Sequence, residues 1–353
     1  MMVVFFRRML GRALRFSRSR LRNVVSIFFP SSLRGLSASA LRRIEHTVAE
    51  AEGKKVRCLR YASLQGLCSY DAARRFWSVE CLVGGEKKIS LFVKVGGSSL
   101  RKYRLTEALG ELCLPVPVFY GAFRDCGRAV AIWRYSAGRC LPAFQFFTDE
   151  DLSAAARAVA IYNISGLQCD YILAGSKEEP KWATPVAHVL ISILNSHEEL
   201  LARRDVIERF ACFEIELLAV LNEAGVCFNH NDFKASNMLF LEDGSCQITD
   251  LDSSSLGAIG ASLRCFSYLS FAKRDLVVRE YVSQLREFGV TCSPVAVHHV
   301  MCAQQLLWAF HTGVRLNCIQ RMVHWLDHFS RLYFVDNGEL FLKDVGLVSK
   351  ACM

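Results

Sequence analysis

Apolar and polar residues alternate over short runs in the stretch after residue 55. Val56–Tyr61 and Phe76–Val83 have the period of two expected of strands. Gly84-Gly85 marks a tight turn after the second run. Ile89–Val95 is almost wholly apolar and carries one lysine, Lys94. Leu100–Leu112 changes to helical spacing, and Pro115 and Pro117 end it, because a proline pushes the residue before it out of the helical region. Val118–Phe123 and Ala129–Tyr135 return to strand spacing. The predicted order is strand, strand, strand, helix, strand, strand.

Beyond Gly138 the spacing is mainly helical. Asp149 or Asp151 starts a helix over Leu152–Leu167, followed by Pro185–Leu201 and Val206–Asn222, with Gly225 as a stop. Two short apolar runs, Met238–Leu241 and Cys246–Thr249, flank Glu242-Asp243-Gly244-Ser245, a hairpin signal. Helical patterns then cover Lys273–Phe288, Pro294–Thr312 and Cys318–Phe334.

Charge changes the picture at the amino end. The chain has a net charge of +9, yet residues 1–44 hold ten arginines and no acid precedes Glu45. The remainder is therefore near −1, which excludes a whole-surface field suited to nucleic acid. Leu10, Leu14, Leu21, Val25 and Phe28 interleave with the arginines. Three readings stand: an amphipathic helix on an anionic membrane surface, a cleaved organelle-targeting peptide, or else a disordered arm or upstream sequence from a misplaced start, with Met9 available as another. The first two predict a cytoplasmic protein peripheral to a membrane, or an organelle-targeted one. No apolar run reaches the ~20 residues of a membrane span. Fifteen cysteines are scattered without a CxxC pair, which suits buried thiols in a reducing compartment better than a disulfide framework or zinc.

Chemistry concentrates in Val226–Asp252. His230-Asn-Asp232-Phe-Lys234-Ala-Ser-Asn237 lies between a helix and the hairpin, and Asp250 follows the second hairpin strand. Phosphoryl transfer needs a carboxylate to orient the attacking hydroxyl, oxygen ligands for Mg2+, and a cation to offset charge on the transferring group. Asp232 suits the first role, Asn237 and Asp250 the second, and Lys234 the third.

This segment resembles the catalytic loop and metal-binding segment of the protein-kinase-like superfold, and looks closest to its aminoglycoside phosphotransferase and choline kinase branch. His230-Asn231-Asp232 is similar to choline kinases, while Lys234 is more like a protein kinase. The resemblance implies a bilobal α+β fold: an arm over 1–44, a small antiparallel-sheet lobe over 45–135, and a mainly helical lobe over 136–353. The last would hold a catalytic loop at 228–237 and a metal-binding segment at 246–252. It implies an ATP- and Mg2+-dependent kinase acting on a hydroxyl of a small molecule. Lys94 would bond the nucleotide phosphates and Glu107 would hold that lysine, with Glu111 as the alternative. Trp133–Tyr135 would lie against adenine, or Trp133 would simply pack in the core. A phosphate-covering loop would include Gly66 and Ser69, although no GxGxxG is present. His230 would be a structural pin, and Asp252 a second metal ligand or a solvated loop residue. His188, His197, His298 and His299 read as surface or core residues.

Two other functions remain: a kinase of a lipid-linked or glycan acceptor at a membrane, and a pseudokinase that binds nucleotide without turnover. The missing glycine loop favours the latter. Leu251-Asp252 after Asp250, and no Ala-Pro-Glu beyond it, weigh against a protein kinase.

The arm gives a direct test. Each basic residue near an anionic leaflet contributes about 1 kcal/mol, screened by salt. The full chain is expected to co-sediment with anionic liposomes at low salt, and a chain lacking residues 1–44 is not. Equal sedimentation of the two removes the arm from any membrane role.

Overall fold

The computed structural model describes residues 36–64, 75–96, 100–110, 112, 114–168, 191–192, 197–316 and 319–330. It divides into two compact units. One takes in the described residues up to Tyr103 together with Val118–Tyr135; the other takes in Arg104–Pro117 and the described residues from Ser136 onward.

The first unit is a five-stranded sheet with one covering helix. The strands are β1 (Val56–Ser63), β2 (Arg75–Val83), β3 (Lys87–Val95), β4 (Phe119–Asp125) and β5 (Arg128–Arg134), in the order β1-β2-β3-β5-β4 with every pair antiparallel. Alternation gives each strand two faces. Trp77, Val79, Cys81 and Val83 of β2 share a core with Ile89, Leu91, Val93 and Val95 of β3. Gly84 and Gly85 both adopt positive φ, which lets the chain reverse between β2 and β3.

The helix over that core is α1 (Ala38–Glu52), with Ala40, Ile44 and Val48 buried against the sheet. Its capping is explicit. Ser37 Oγ accepts from Ala40 N at 2.9 Å and donates to Asp125 Oδ2 at 2.8 Å, and Ser39 Oγ donates to Asp125 Oδ1 at 2.6 Å. Arg43 reaches the Arg124 carbonyl at 2.6 Å. The expected boundary at residue 44 is therefore corrected: Leu36 through Ile44 belong to the first unit, since their apolar positions recur at helical spacing and cover the sheet. The rest of the arm, through residue 35, lies outside the described residues. Separating arm from fold means cutting before Leu36.

The second unit is mainly helical. Helix α2 (Arg101–Gly110) gives it Leu109. After β6 (Gly138–Arg139) comes α3 (Asp149–Ser165), capped by Thr148 rather than by an aspartate: Thr148 Oγ1 accepts from Asp151 N at 3.2 Å while Asp151 Oδ2 accepts from Thr148 N at 3.1 Å. Arg139 forms an ion pair with the buried Asp151. Of the helix expected over Pro185–Leu201, the described part includes α4 (Glu198–Leu201). Then follow α5 (Arg204–Glu223), β7 (Val226–His230), the hairpin β8 (Met238–Leu241) and β9 (Cys246–Ile248), and β10 (Ser254–Ala258). A 3-10 helix (Ala261–Tyr268), α6 (Phe271–Glu287), α7 (Pro294–Leu316) and α8 (Ile319–Ser330) complete it. β6, β8 and β9 form one small sheet, and β7 pairs with β10 in another. Neither β10 nor the 3-10 helix is legible in the apolar pattern, because Ser254-Ser255-Leu256-Gly257-Ala258 has no β-branched residue.

Two apolar clusters hold this unit. α3, β7, the hairpin and α6 pack around Tyr162, Phe228, Phe233 and Tyr281. α5, α7 and α8 pack around Leu217, Leu221, Leu307 and Leu326. In the first unit, Ile44→Ala is expected to lower stability by about 2–5 kcal/mol in chemical denaturation, the usual range for such a truncation in a core. A change within a few tenths of a kcal/mol would return Ile44 to the arm.

Candidate active site

The candidate site in the second unit is built on β7, whose last four residues, Cys227 to His230, are buried. A strand buried this deeply needs partners for its polar groups. Three bonds tie the Asn229 side chain to other elements: Nδ2 donates to the Ala258 carbonyl at 3.0 Å, and Oδ1 accepts from Ser262 N at 3.0 Å and Ser262 Oγ at 2.6 Å. Ser262 Oγ also accepts from His230 N at 3.2 Å and from Asn163 Nδ2 at 3.1 Å. Asn163, on α3, donates further to the Phe228 carbonyl and accepts from the Tyr281 hydroxyl at 2.8 Å.

His230 continues the pinning. Its Nε2 lies 2.9 Å from the Thr249 carbonyl, which can only accept, so Nε2 carries the proton in the neutral ring. Nδ1 is buried with no hydrogen-bond partner among the described residues. Burial pushes the imidazole below its ordinary pKa, the Thr249 carbonyl opposing only in part. His230 is thus a neutral structural link between the loop and the end of β9, not a base.

Asn231 is anchored through its side chain, with Nδ2 donating to the Ser253 carbonyl at 2.9 Å and to Ser255 Oγ at 2.6 Å. Asp232 follows, half-buried, with Lys234 Nζ 2.7 Å from its Oδ2. Phe233 is buried between the His230 and Phe266 rings, which turns its two charged neighbours outward. Asn237 closes the loop: Nδ2 donates to the Asp232 carbonyl at 2.9 Å, which leaves Oδ1 as the amide's oxygen for a metal. The Asn237 carbonyl accepts from Thr249 N at 2.9 Å.

Asp250 comes next, exposed and in the left-handed region at φ 60°, ψ 55°. Aspartate is one of the few residues with a side chain that adopts this backbone at modest expense. Thr249 is therefore bonded to both ends of the loop, and the structure brings Asp232, Lys234, Asn237 and the start of the Asp250 turn together. Among the described residues no group of three or more His, Cys, Asp or Glu is placed to hold a metal ion. A cation here would rest on the Asn237 and Asp250 oxygens, with phosphate and water completing its shell. That mixed, oxygen-only set fits Mg2+.

Of the other predicted residues, Lys94, Trp133 and Tyr135 belong to the first unit and Glu107 to the second. Lys94 is buried on β3, the central strand, opposite Phe76 on one side and Ala131 on the other. It is on the sheet face away from α1, so it is not an edge-strand lysine. Trp133 packs against Phe92, Tyr103 and Phe119 with ring centroids 6.0, 5.9 and 5.2 Å away. Tyr135 is 48% exposed, while its backbone N donates to the Ser90 carbonyl at 2.8 Å. Glu107 is on the exposed side of α2 beside the buried Thr106. Gly66, Ser69 and Glu111 lie outside the described residues. Among the described residues no helix is long and apolar enough to cross a membrane.

Comparison with solved structures decides the fold. A choline kinase from Cryptosporidium parvum Iowa II matches at TM-score 0.50 and 15% identity, over 82% of this chain and 92% of that one. The aminoglycoside phosphotransferase APH(2'')-Ib with ADP bound matches at TM-score 0.51 and 17% identity, over 80% and 96%. An aminoglycoside phosphotransferase from Alicyclobacillus acidocaldarius matches at TM-score 0.52 and 13% identity, over 79% and 90%. The chain has the protein-kinase-like fold. These matches agree with the resemblance carried by His230–Asp252. No family model matches the chain, and no curated protein sequence does.

The residues that sequence reasoning missed are Asn163, Ser262, Arg264 and Cys265. Cys265 Sγ donates to the Phe233 carbonyl, so the 3-10 helix also grips the loop. No spacing rule points to them, since they meet the loop only through the fold.

The His230 environment predicts a pH effect on stability. In the unfolded chain the ring titrates near 6.5, and in the folded protein it stays neutral to lower pH. Below that value the unfolded state binds an extra proton, so stability is full at neutral pH and falls as pH drops. His299, pushed down to about 4 by burial and the neighbouring His298, adds the same sign. His230→Gln keeps a donor for the Thr249 carbonyl. Denaturation between pH 7.5 and 5 should show its slope flattened by up to about 1.4 kcal/mol per pH unit. An unchanged slope would mean that His230 titrates alike in both states.

Proposed function

We propose that the chain is a phosphotransferase that moves the γ-phosphoryl group of ATP to a hydroxyl of a small molecule. The observation that carries it is the loop Asp232–Asn237, with a half-buried carboxylate paired to a lysine and its backbone carbonyl held by an asparagine. The fold supports the reading, and one similar structure holds ADP.

Each residue then has a task. Asp232 accepts a hydrogen bond from the acceptor hydroxyl, which turns the hydroxyl oxygen's lone pair toward phosphorus, and receives the proton as the bond from that oxygen to phosphorus forms. The bond between phosphorus and the bridging oxygen breaks, and ADP leaves. Lys234 keeps the Asp232 carboxylate oriented and adds positive charge beside the transferring group. Asn237 and Asp250 would hold Mg2+, which neutralises phosphate charge when bound. Lys94, buried on the central strand, would pair with the nucleotide phosphates. The exposed Tyr135 would offer its ring to the base. The basic arm favours a protein peripheral to a membrane.

Asp232→Asn keeps the shape and removes the proton acceptor. With ATP consumption followed against sugars, amino alcohols and aminoglycosides, kcat should fall by about 10²–10⁴ on the best acceptor, while nucleotide affinity stays within about twofold. Turnover at the wild-type rate in this variant would refute Asp232 as the base. A native protein that consumes no ATP with any acceptor would refute phosphotransfer.

A further inference from the structure

The 3-10 helix Ala261–Tyr268 grips the candidate loop at successive points. Ser262 holds Asn229 and the His230 N–H, and Cys265 donates to the Phe233 carbonyl. Between them, Arg264 donates from Nη2 to the Asn231 carbonyl at 2.9 Å. This guanidinium is buried, at 4% exposure. Among the described residues no carboxylate forms an ion pair with it. Its surroundings are the Asn231 carbonyl, Gln305 Oε1 at 3.4 Å from Nη1, and the Trp308 ring with its centroid 4.1 Å away. Gln305 is buried too, and its Nε2 donates to the Tyr268 hydroxyl at 2.6 Å. A planar fork stacked on an aromatic face has little freedom to turn.

The carbonyl it holds is the one preceding Asp232. A peptide group is planar. With the Asn231 oxygen fixed by Arg264 and the Asn231 side chain fixed by Ser253 and Ser255, the plane entering Asp232 is set from both sides. Only the torsions of Asp232 itself then remain to aim its carboxylate. A neutral donor in this place would satisfy the carbonyl as well. A charged one makes a stronger hydrogen bond, and losing it would leave a buried acceptor unmet.

We propose that Arg264 is a positioning residue for Asp232, held in turn by Gln305 and Trp308 of α7. This rests on the phosphotransfer reading of Asp232. α7 thereby becomes a part of the site that touches no substrate: its side chains set the loop through one guanidinium.

The test is a double-mutant cycle on ATP turnover, with water or the best acceptor, combined with amide hydrogen exchange. Arg264→Met should lower kcat by about 100-fold, the scale of a misplaced catalytic group, with KM for ATP within about twofold. In the Asp232→Asn background the same change should cost less than about threefold, because a positioning residue has nothing left to position. Arg264→Lys should recover part of the loss. Gln305→Leu, which leaves the Nη2 contact in place, should lower kcat by about tenfold and keeps the test open if Arg264→Met does not fold. Equal losses in both backgrounds, or a change in KM with kcat intact, would overturn the proposal. If the native protein turns over no ATP, phosphotransfer fails by itself, and hydrogen exchange still reads the grip. Arg264→Met or Gln305→Leu should then speed exchange at the Asp232–Lys234 amides and leave the β3 amides unchanged. No change at the loop would refute the grip.

Discussion

The Ser262 hydroxyl joins three parts of the second unit in one buried place. It donates to the Asn229 amide oxygen and accepts from the His230 N–H and the Asn163 amide. Asn163 brings in α3 and, through the Tyr281 hydroxyl, α6. Asn229 ties β7 to the end of β10. Every side-chain nitrogen and oxygen of Asn163, Asn229 and Ser262 has a partner, and that matters because a half-satisfied polar group in a dry core costs more than an apolar replacement. The loop that follows can then be short and half-exposed and still hold its shape, since its first residue is fixed before it leaves the core. The Thr249 backbone secures the far end, using the His230 ring and the Asn237 carbonyl.

The first unit meets a different demand with the same economy. A lysine on a central strand is expensive unless something compensates its charge. Its sheet presents the apolar residues Trp77, Val79, Leu91 and Val93 to α1 on the opposite face. The face that bears Lys94 instead carries an aromatic group of Phe92, Trp133, Phe119 and Tyr103. α1 belongs to this arrangement as much as the strands do. Its serines meet Asp125 at the end of β4, so the cap of the helix and the edge of the sheet are made by the same bonds.

Much of this could be read from the chain, for identifiable reasons. The five strands and the helix between the third and fourth follow from a clean change of period, two to about 3.6 and back, with prolines at the break. The Asp232, Lys234, Asn237 and Asp250 group was legible because it is local, spanning one loop and one hairpin. What stayed hidden is either non-local or locally unremarkable. Asn163 and Ser262 are ordinary polar residues in helical stretches, and only packing brings them to β7. α1 was obscured by its own arginines: Arg42 and Arg43 look continuous with the basic arm, while the burial of Ala40, Ile44 and Val48 depends on a sheet that the local pattern does not reveal. Thr148 outcompeted Asp149 and Asp151 as cap because the carboxylate of Asp151 serves better three residues in, where it also meets Arg139.

At Asp250 the backbone and the side chain call for different residues. Its backbone is one that glycine enters freely and other residues only under strain. Glycine there would relax the turn after β9 and firm up the fold. It would also delete the carboxylate. A lineage under selection for ruggedness alone would therefore drift toward glycine at this position and, under the proposed role of Asp250, would shed phosphotransfer while becoming sturdier. On that proposal the identity of residue 250 across related sequences would be a record of whether the activity has been kept, legible without any assay.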